Sequence, residues 1–193
     1  MVVIRAAAAA DAAQIAAVMR DSWFAAYHGL IEDALIDRAT SLDGGARIRQ
    51  SFWTRPWQRM LAAVASPPPP APGAPGSGIV GYATFGPEVD VLDTPWPYPP
   101  TAAGWAGEMA ELYALYVHPG WWSTGTGRAL MDQVLARVRA AGYTGITLWV
   151  LEANARARRF YQRAGFAADG TRHVLADLGG VTEVRYRCAL DSG

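Results

Sequence analysis

Residues 115–130 read LYVHPGWWSTGTGRAL, and the succession of residue types there decides how the chain is built. Leu115, Tyr116 and Val117 close an apolar run that begins at Met109 and suits a buried strand, and His118, Pro119 and Gly120 end it. From Gly127 to Ala141 the residues Leu130, Met131, Val134, Leu135 and Val138 recur at helical spacing. A strand therefore passes through a loop holding Gly125 and Gly127 straight into the first turn of a helix. Such a junction is an anion site. The first N–H groups of a helix have no internal acceptor, glycines let an anion approach the main chain, and the helix dipole adds a favourable field. Arg128 in that first turn opposes the dipole of a bare helix and is better matched to a bound polyanion. The spacing is neither that of a nucleotide P-loop, which needs Gly-Lys-Ser/Thr, nor that of a G-x-G-x-x-G dinucleotide turn.

Working outward, Thr144–Val150 reads as a strand, and Asn154–Ala164 as a short Arg-rich helix closed by Gly165. Phe166 starts an exit strand, and Val181–Leu190 forms the last one. Upstream, Val2–Arg5 suits a buried strand. From Asp11 the residues Ile15, Val18, Met19, Ser22, Trp23 and Ala26 lay one stripe along a helix that stops at Gly29. Residues 31–57 carry helical fragments interrupted at Gly44-Gly45 and ended by Pro56. Met60–Ala65 and Ile79–Phe85 are strands separated by a Pro-rich loop, 66–78, which cannot join a ladder. It suits a tolerated insertion better than a ligand for an aromatic groove. A second irregular stretch, 86–107, is read as a surface insertion overhanging a site. Residues 1–193 are thus expected to form a single domain of α/β class.

Composition narrows the function. With 51% hydrophobic and 18% charged residues, 193 residues suffice for one sizeable core, and the formal net charge is zero. A chain-wide grip on nucleic acid or anionic lipid is therefore not expected. All 17 basic residues are Arg, which excludes Schiff-base or lysine-nucleophile chemistry. Arg156, Arg158, Arg159 and Arg163 surround their short helix without interleaved aromatics and read as a solvated face. The lone cysteine, Cys188, reads as a small buried hydrophobe, and His28, His118 and His173 lack ligand spacing, so no metal is expected. No apolar run approaches a membrane span, and MVVIRAAAAADAAQ lacks the form of a signal peptide, so a cytoplasmic location is expected. The neutral total hides segregation: 87–111 holds five acids and no Arg, whereas 123–163 holds seven Arg against Asp132 and Glu152.

Asn154, Ala157, Tyr161 and Gly165, followed by Phe166, lie at spacings of three, four and four on one helix face. Together with Trp122-Ser-Thr-Gly125-Thr-Gly127, this pattern resembles the GCN5-related N-acetyltransferases. Their pyrophosphate loop reads Arg/Gln-x-x-Gly-x-Gly/Ala, and a later helix reads Asn-x-x-Ala-x-x-x-Tyr-x-x-x-Gly-Phe. The second motif is matched at every position. The first departs at Trp122, which stands where Arg or Gln is usual. The resemblance covers most of the chain outside 67–78 and 86–107. It implies a mixed, mostly antiparallel sheet of six to seven strands flanked by helices.

The resemblance also implies acetyl-CoA as co-substrate, with no metal. Cofactor binding falls to Trp122, Ser123, Thr124, Gly125, Thr126, Gly127 and Arg128, with main-chain amides of Ser123, Gly125, Gly127 and Arg128 on the pyrophosphate. Tyr116 and Val117 would hydrogen-bond the pantetheine arm as a surrogate strand. Asn154, also readable as a helix N-cap, would contact the same arm. Tyr161 stands where the family places its general acid. The base is sought in Glu111, which strand alternation sets on the face of Tyr113, Leu115 and Val117. Glu108, acting directly or through water, is the second choice and His118 the third. Glu111 is also readable as a carboxylate that only solubilises a strand edge. The implied reaction is direct attack of a primary amine, on a small molecule or a peptide N-terminus, on the thioester, with the Val117 N–H stabilising the oxyanion. The rival reading is a non-catalytic acyl-CoA-binding or regulatory module. A second copy of the chain, in a homodimer, is a further candidate partner.

Overall fold

In the computed structural model the described residues are 1–41, 46, 48, 50, 58–65, 78–88 and 109–190. Runs dominated by Val, Ile, Leu, Ala and aromatic residues supply seven strands: β1 (Val2–Ala6), β2 (Arg59–Ala65), β3 (Gly78–Pro87), β4 (Met109–Val117), β5 (Gly145–Leu151), β6 (Ala167–Leu175) and β7 (Val181–Ala189). They pair into one sheet in the order β1-β2-β3-β4-β5-β7-β6. Every neighbouring pair is antiparallel except β4 and β5. This is the mixed, mostly antiparallel sheet expected from the motifs.

Four helices cover the sheet among the described residues: α1 (Ala12–Tyr27), α2 (Asp33–Ala39), α3 (Thr126–Ala140) and α4 (Ala155–Arg163). On one face α3 lays down the stripe read from its periodicity, with Leu130, Met131, Val134, Leu135 and Val138 buried against Val80, Ala83, Phe85, Leu112 and Ile146. Each of the larger side chains contributes roughly 1.5–3 kcal/mol by leaving water. On the other face Ile15 and Val18 of α1 pack against Ala62, Ile79 and Tyr82, and α2 packs Ile36 with Ile31 and Leu151. None of these helices is long and apolar enough to cross a membrane.

Two expectations change. β3 continues through Gly86 and Pro87, placed above in the irregular stretch, because these residues pair with Glu111 and Ala110 of β4. The rest of that stretch, 89–107, together with Glu108 and residues 66–77, lies outside the described residues. The second change concerns alternation along β4. Thr84 pairs with Ala114 but Phe85 pairs with Leu112, so Tyr113 is the extra residue of a β-bulge. Ala110, Leu112, Leu115 and Val117 consequently all turn towards α3, whereas Ala114 and Tyr116 turn towards α1. Glu111, opposite Gly86 and Thr147, goes with the α1 face and not with Leu115 and Val117.

The chain's start is tied down by one carboxylate. Asp11 accepts from both Arg5 guanidinium nitrogens, at 2.6 and 2.9 Å, and from the Ala8 N–H at 2.8 Å. The bond from Arg5 holds the Asp11 carboxyl below its ordinary pKa. A depressed carboxylate contributes stability above its unfolded pKa, about 3.9, and loses that contribution as pH falls through the lower folded value. Asp11→Ala is expected to cost about 1–2 kcal/mol at pH 7, read as a fall of several degrees in Tm, with the gap to the parent closing below pH 3. Equal stabilities at pH 7 would refute this account.

Candidate active site

β4 and β5 run side by side only from Met109↔Gly145 to Leu112↔Leu148, although β4 continues to Val117 and β5 to Leu151. Beyond the bulge the two strands part. The Tyr113 hydroxyl, bonded to the Pro87 carbonyl, pins the bulged residue to the end of β3. The His118 N–H donates to the Val80 carbonyl at 2.8 Å, which fixes the alternation of the β3–β4 ladder. Tyr116 and Ala114 are then in hydrogen-bonded pairs with β3, and the main-chain groups of Leu115 and Val117 point towards the gap. Of the two residues expected to meet a pantetheine arm with their main chain, the geometry turns Val117 to the gap and Tyr116 to β3. Tyr116 lines the site with its phenol instead.

The gap opens into a groove of about 850 Å³ bounded by α1, β4, the 121–128 loop, β5 and α4. At one end lies the start of α3. Gly125, at φ +90°, is its N-cap, and Ala129 is the first residue whose N–H returns to the Gly125 carbonyl, at 2.9 Å. The N–H groups of Thr126, Gly127 and Arg128 thus have no acceptor within the helix. The turn is braced from behind: Thr124 Oγ1 donates to the Trp121 carbonyl at 2.8 Å and lies 2.9 Å from Thr126 Oγ1. A Cβ at Gly127 would stand 3.4 Å from the Phe160 ring, an ordinary van der Waals contact, so α4 packs directly over this turn. Ser123 adopts φ +63°, a left-handed conformation uncommon for a residue with a Cβ.

Trp122, the departure from the family pattern, has a defined job. Its indole N–H donates to the Val117 carbonyl at 2.7 Å, an acceptor shared with the Ser22 hydroxyl at 2.9 Å. The Arg156 guanidinium lies 4.2 Å from the centre of the Trp122 ring and 3.4 Å from Ser123 Oγ. The tryptophan therefore ties the loop to β4 and seats a cation over it, where the family's Arg or Gln would stand. Arg128 instead reaches Asp132 at 2.8 Å in a solvent-exposed i,i+4 pair.

Asn154 is the N-cap of α4 and a residue of the groove wall. Its Oδ1 accepts from the Ala157 N–H at 3.0 Å and caps α4, while the residue lines the groove. One face of α4 turns Ala157 and Tyr161 to the same groove. Tyr161 is 9% exposed, and burial, with Tyr116 beside it, pushes its phenol well above the ordinary value. It is protonated throughout the neutral range and able to donate.

The candidate bases divide. Glu111 is 6% exposed on the α1 face of the sheet and is not among the groove's lining residues. Neighbouring Thr147 is engaged by Glu88, at 3.0 Å. His118 accepts from the Gly120 N–H at 3.1 Å and lies 3.6 Å from Asp21. Among the described residues the carboxylate that lines the groove is Glu183 of β7, and Trp149 of β5 and Trp23 and Tyr27 of α1 line it too. Sequence reading passed over Glu183. Its only signal was the alternation of Glu183, Arg185 and Arg187 along a strand whose other residues, Val184 and Tyr186, are core. Cys188 lies outside the lining, with its thiol against the Ala189 carbonyl at 3.3 Å.

Residues suited to a CoA-like ligand are thus present as a set. They comprise three first-turn amides, the Arg156 guanidinium and the strand groups facing the gap. The indole N–H of Trp121, which lines the groove, is buried without a hydrogen-bond acceptor, whereas that of Trp23 faces the Tyr116 phenol. A buried donor without an acceptor is costly unless a ligand or water meets it.

Comparison with known proteins agrees with this geometry. A probable N-acetyltransferase of Mycobacterium tuberculosis is 26% identical over 95% of this chain and 91% of its own length. An uncharacterised N-acetyltransferase of the same species is 45% identical over 62 residues, which is 32% of this chain and 40% of that protein. The mycothiol acetyltransferase of Beutenbergia cavernae is 41% identical over 39% of this chain but only 24% of its own length. Among solved structures, the PaiA N-acetyltransferase of Thermoplasma acidophilum in complex with coenzyme A superposes with a TM-score of 0.68 at 18% identity, covering 98% of this chain and 99% of that one. A putative acetyltransferase of Salmonella typhimurium with acetyl-CoA gives 0.65 at 18%, covering 100% and 95%. These likenesses establish the fold. Residues 34–166, from α2 through the Gly165-Phe166 end of the second motif, match the profile of the acetyltransferase (GNAT) family, and the chain belongs to it.

Proposed function

We propose that this chain is an acetyl-CoA-dependent N-acetyltransferase that acetylates a primary amine by direct attack. The observation that carries this reading is the continuity of one groove. It runs from the open amides of α3, through the parting of β4 and β5, to the buried Tyr161 phenol. The α3 amides with Arg156 suit a pyrophosphate, and the Val117 main chain facing the gap suits an extended amide-bearing arm. Bound acetyl-CoA would supply an activated acyl group on a thiol leaving group. Tyr161, whose phenol is protonated at neutral pH, gives a proton to that thiol sulfur as it leaves. The remoteness of Cys188 from the groove favours transfer without a covalent enzyme stage.

Two measurements test this. Acetyl-CoA at 100 times its Kd is expected to stabilise the fold by about 2.7 kcal/mol in a thermal-shift assay, and CoA thiol is expected to appear when primary amines are added. An absent shift at millimolar cofactor defeats the reading outright. A shift with no thiol release across an amine panel leaves the non-catalytic acyl-CoA-binding module in its place.

Tyr161→Phe isolates the acid. The phenyl ring keeps the packing against Phe160 and Phe166. Turnover is expected to fall about 100-fold or more with acetyl-CoA affinity retained. Unchanged turnover would remove Tyr161 from the reaction.

A further inference from the structure

The groove is electrically one-sided. Among the described residues its charged lining is Arg128, Arg156, Arg159 and Arg163, all from α3 and α4, and one carboxylate, Glu183, from β7 at the far end. That far end is otherwise walled by aromatic and aliphatic side chains: Trp23, Tyr27, Trp149, Leu151 and Leu178. Trp23 and Tyr27 meet edge to face at 5.2 Å, and Trp23 lies 6.3 Å from the Tyr116 ring. Glu183 is 16% exposed in its side chain, and its Oε1 lies 3.1 Å from Nδ1 of His173, its cross-strand partner on β6. His173 is in turn held edge-on by Trp149 at 6.0 Å.

We propose that Glu183, positioned by His173, binds the acceptor as its ammonium and removes the proton that blocks attack, and that the acceptor is a monoamine carried on an aromatic or aliphatic body. This rests on the acetyltransferase reading and sharpens it. Among the described residues lining that lobe there is one carboxylate, half-buried, which balances one positive charge, so the further cations of a polyamine would face apolar walls. Among the described residues lining that lobe there is no cation to meet an amino acid's carboxylate, whereas its aromatic faces suit an ammonium and the ring or chain behind it.

The proton balance closes. The ammonium gives one proton to Glu183. The freed nitrogen lone pair forms the C–N bond at the acetyl carbon as the C–S bond breaks, and Tyr161 protonates the sulfur. The proton that nitrogen sheds on becoming an amide restores Tyr161, and Glu183 releases its own to solvent. Tyr116 lines the same groove, and its phenol interacts with Tyr161, Tyr27 and Glu183.

The groups around Glu183 are His173 from β6, Tyr116 from β4 with Tyr27 of α1 beyond it, and apolar Leu151 and Trp149 from β5. Along its own strand, Arg185 is turned to Asp169, at 2.7 Å, and lies 5.8 Å from the centre of the Trp149 ring. Burial raises the Glu183 carboxyl above its ordinary value, with His173 opposing the shift in part. A raised carboxyl is a stronger base. Its anion is lost as pH falls through the raised pKa, so kcat/KM should decline on the acid side.

The experiment compares 2-phenylethylamine, spermidine and phenylalanine as acceptors for the parent, Glu183→Gln and Glu111→Gln. Phenylethylamine is expected to give the highest kcat/KM. Glu183→Gln should lower that value at least 100-fold and abolish the acid limb, while keeping the acetyl-CoA thermal shift. Glu111→Gln should keep the acid limb. A second readout needs no cofactor: phenylethylamine binding, followed by tryptophan fluorescence, should weaken about threefold or more from pH 8 to pH 4. If spermidine or phenylalanine is preferred, if Glu183→Gln keeps its acid limb, or if binding is independent of pH, the proposal is overturned while acetyl transfer stands. Absent thiol release with every amine would instead sink the acetyltransferase reading itself.

Discussion

The parting of β4 from β5 after Leu112 and Leu148 is the constraint from which the site follows. A parallel pair that continued to Val117 and Leu151 would consume the main-chain groups of both strands and leave no space between them. One extra residue, Tyr113, bends β4 away, and its hydroxyl bond to the Pro87 carbonyl holds the bend in place. The cost of interrupted pairing falls on a few backbone groups, which become useful once an extended ligand satisfies them. The same bulge reverses the facing of β4, sending Leu112, Leu115 and Val117 together into the α3 core and Glu111 to the opposite face.

The two helices that flank the gap then act as a pair. α3 begins at a left-handed glycine and presents its open amides, and α4 begins at Asn154 and brings Tyr161 down the opposite wall. The Phe160 ring of α4 packs over the Gly127 turn of α3. Trp122 couples both to the sheet, through its bond to the Val117 carbonyl and through Arg156 stacked above it. A residue that departs from the family pattern in the sequence thus anchors the loop and carries a guanidinium from the neighbouring helix over its ring.

Much of this was legible in the sequence, for physical reasons. The α3 stripe, the Gly125-Thr126-Gly127 turn and the Asn154-to-Phe166 spacing are local patterns, and helix periodicity and capping express them within a few residues. The bulge at Tyr113 was not legible, because it depends on register with β3, whose partner residues lie some thirty positions away. Alternation counted through a bulge gives the wrong face, which is why Glu111 was expected beside Leu115 and Val117. Glu183 stayed hidden for a related reason. Its place in the groove comes from the antiparallel return of β7 beside β5, and no short motif marks it. Glu108 and the residues of the two insertions at 66–77 and 89–107 lie outside the described residues.

The β4–β5 gap and the start of α3 together form one ligand cradle. Amide hydrogen exchange with and without CoA addresses it directly. The account predicts slowed exchange at Leu115–Val117, Ser123–Arg128 and the first turn of α4, with β1, β2 and β6 unchanged. Slowed exchange confined to those outer strands, or no change on adding CoA, would contradict it.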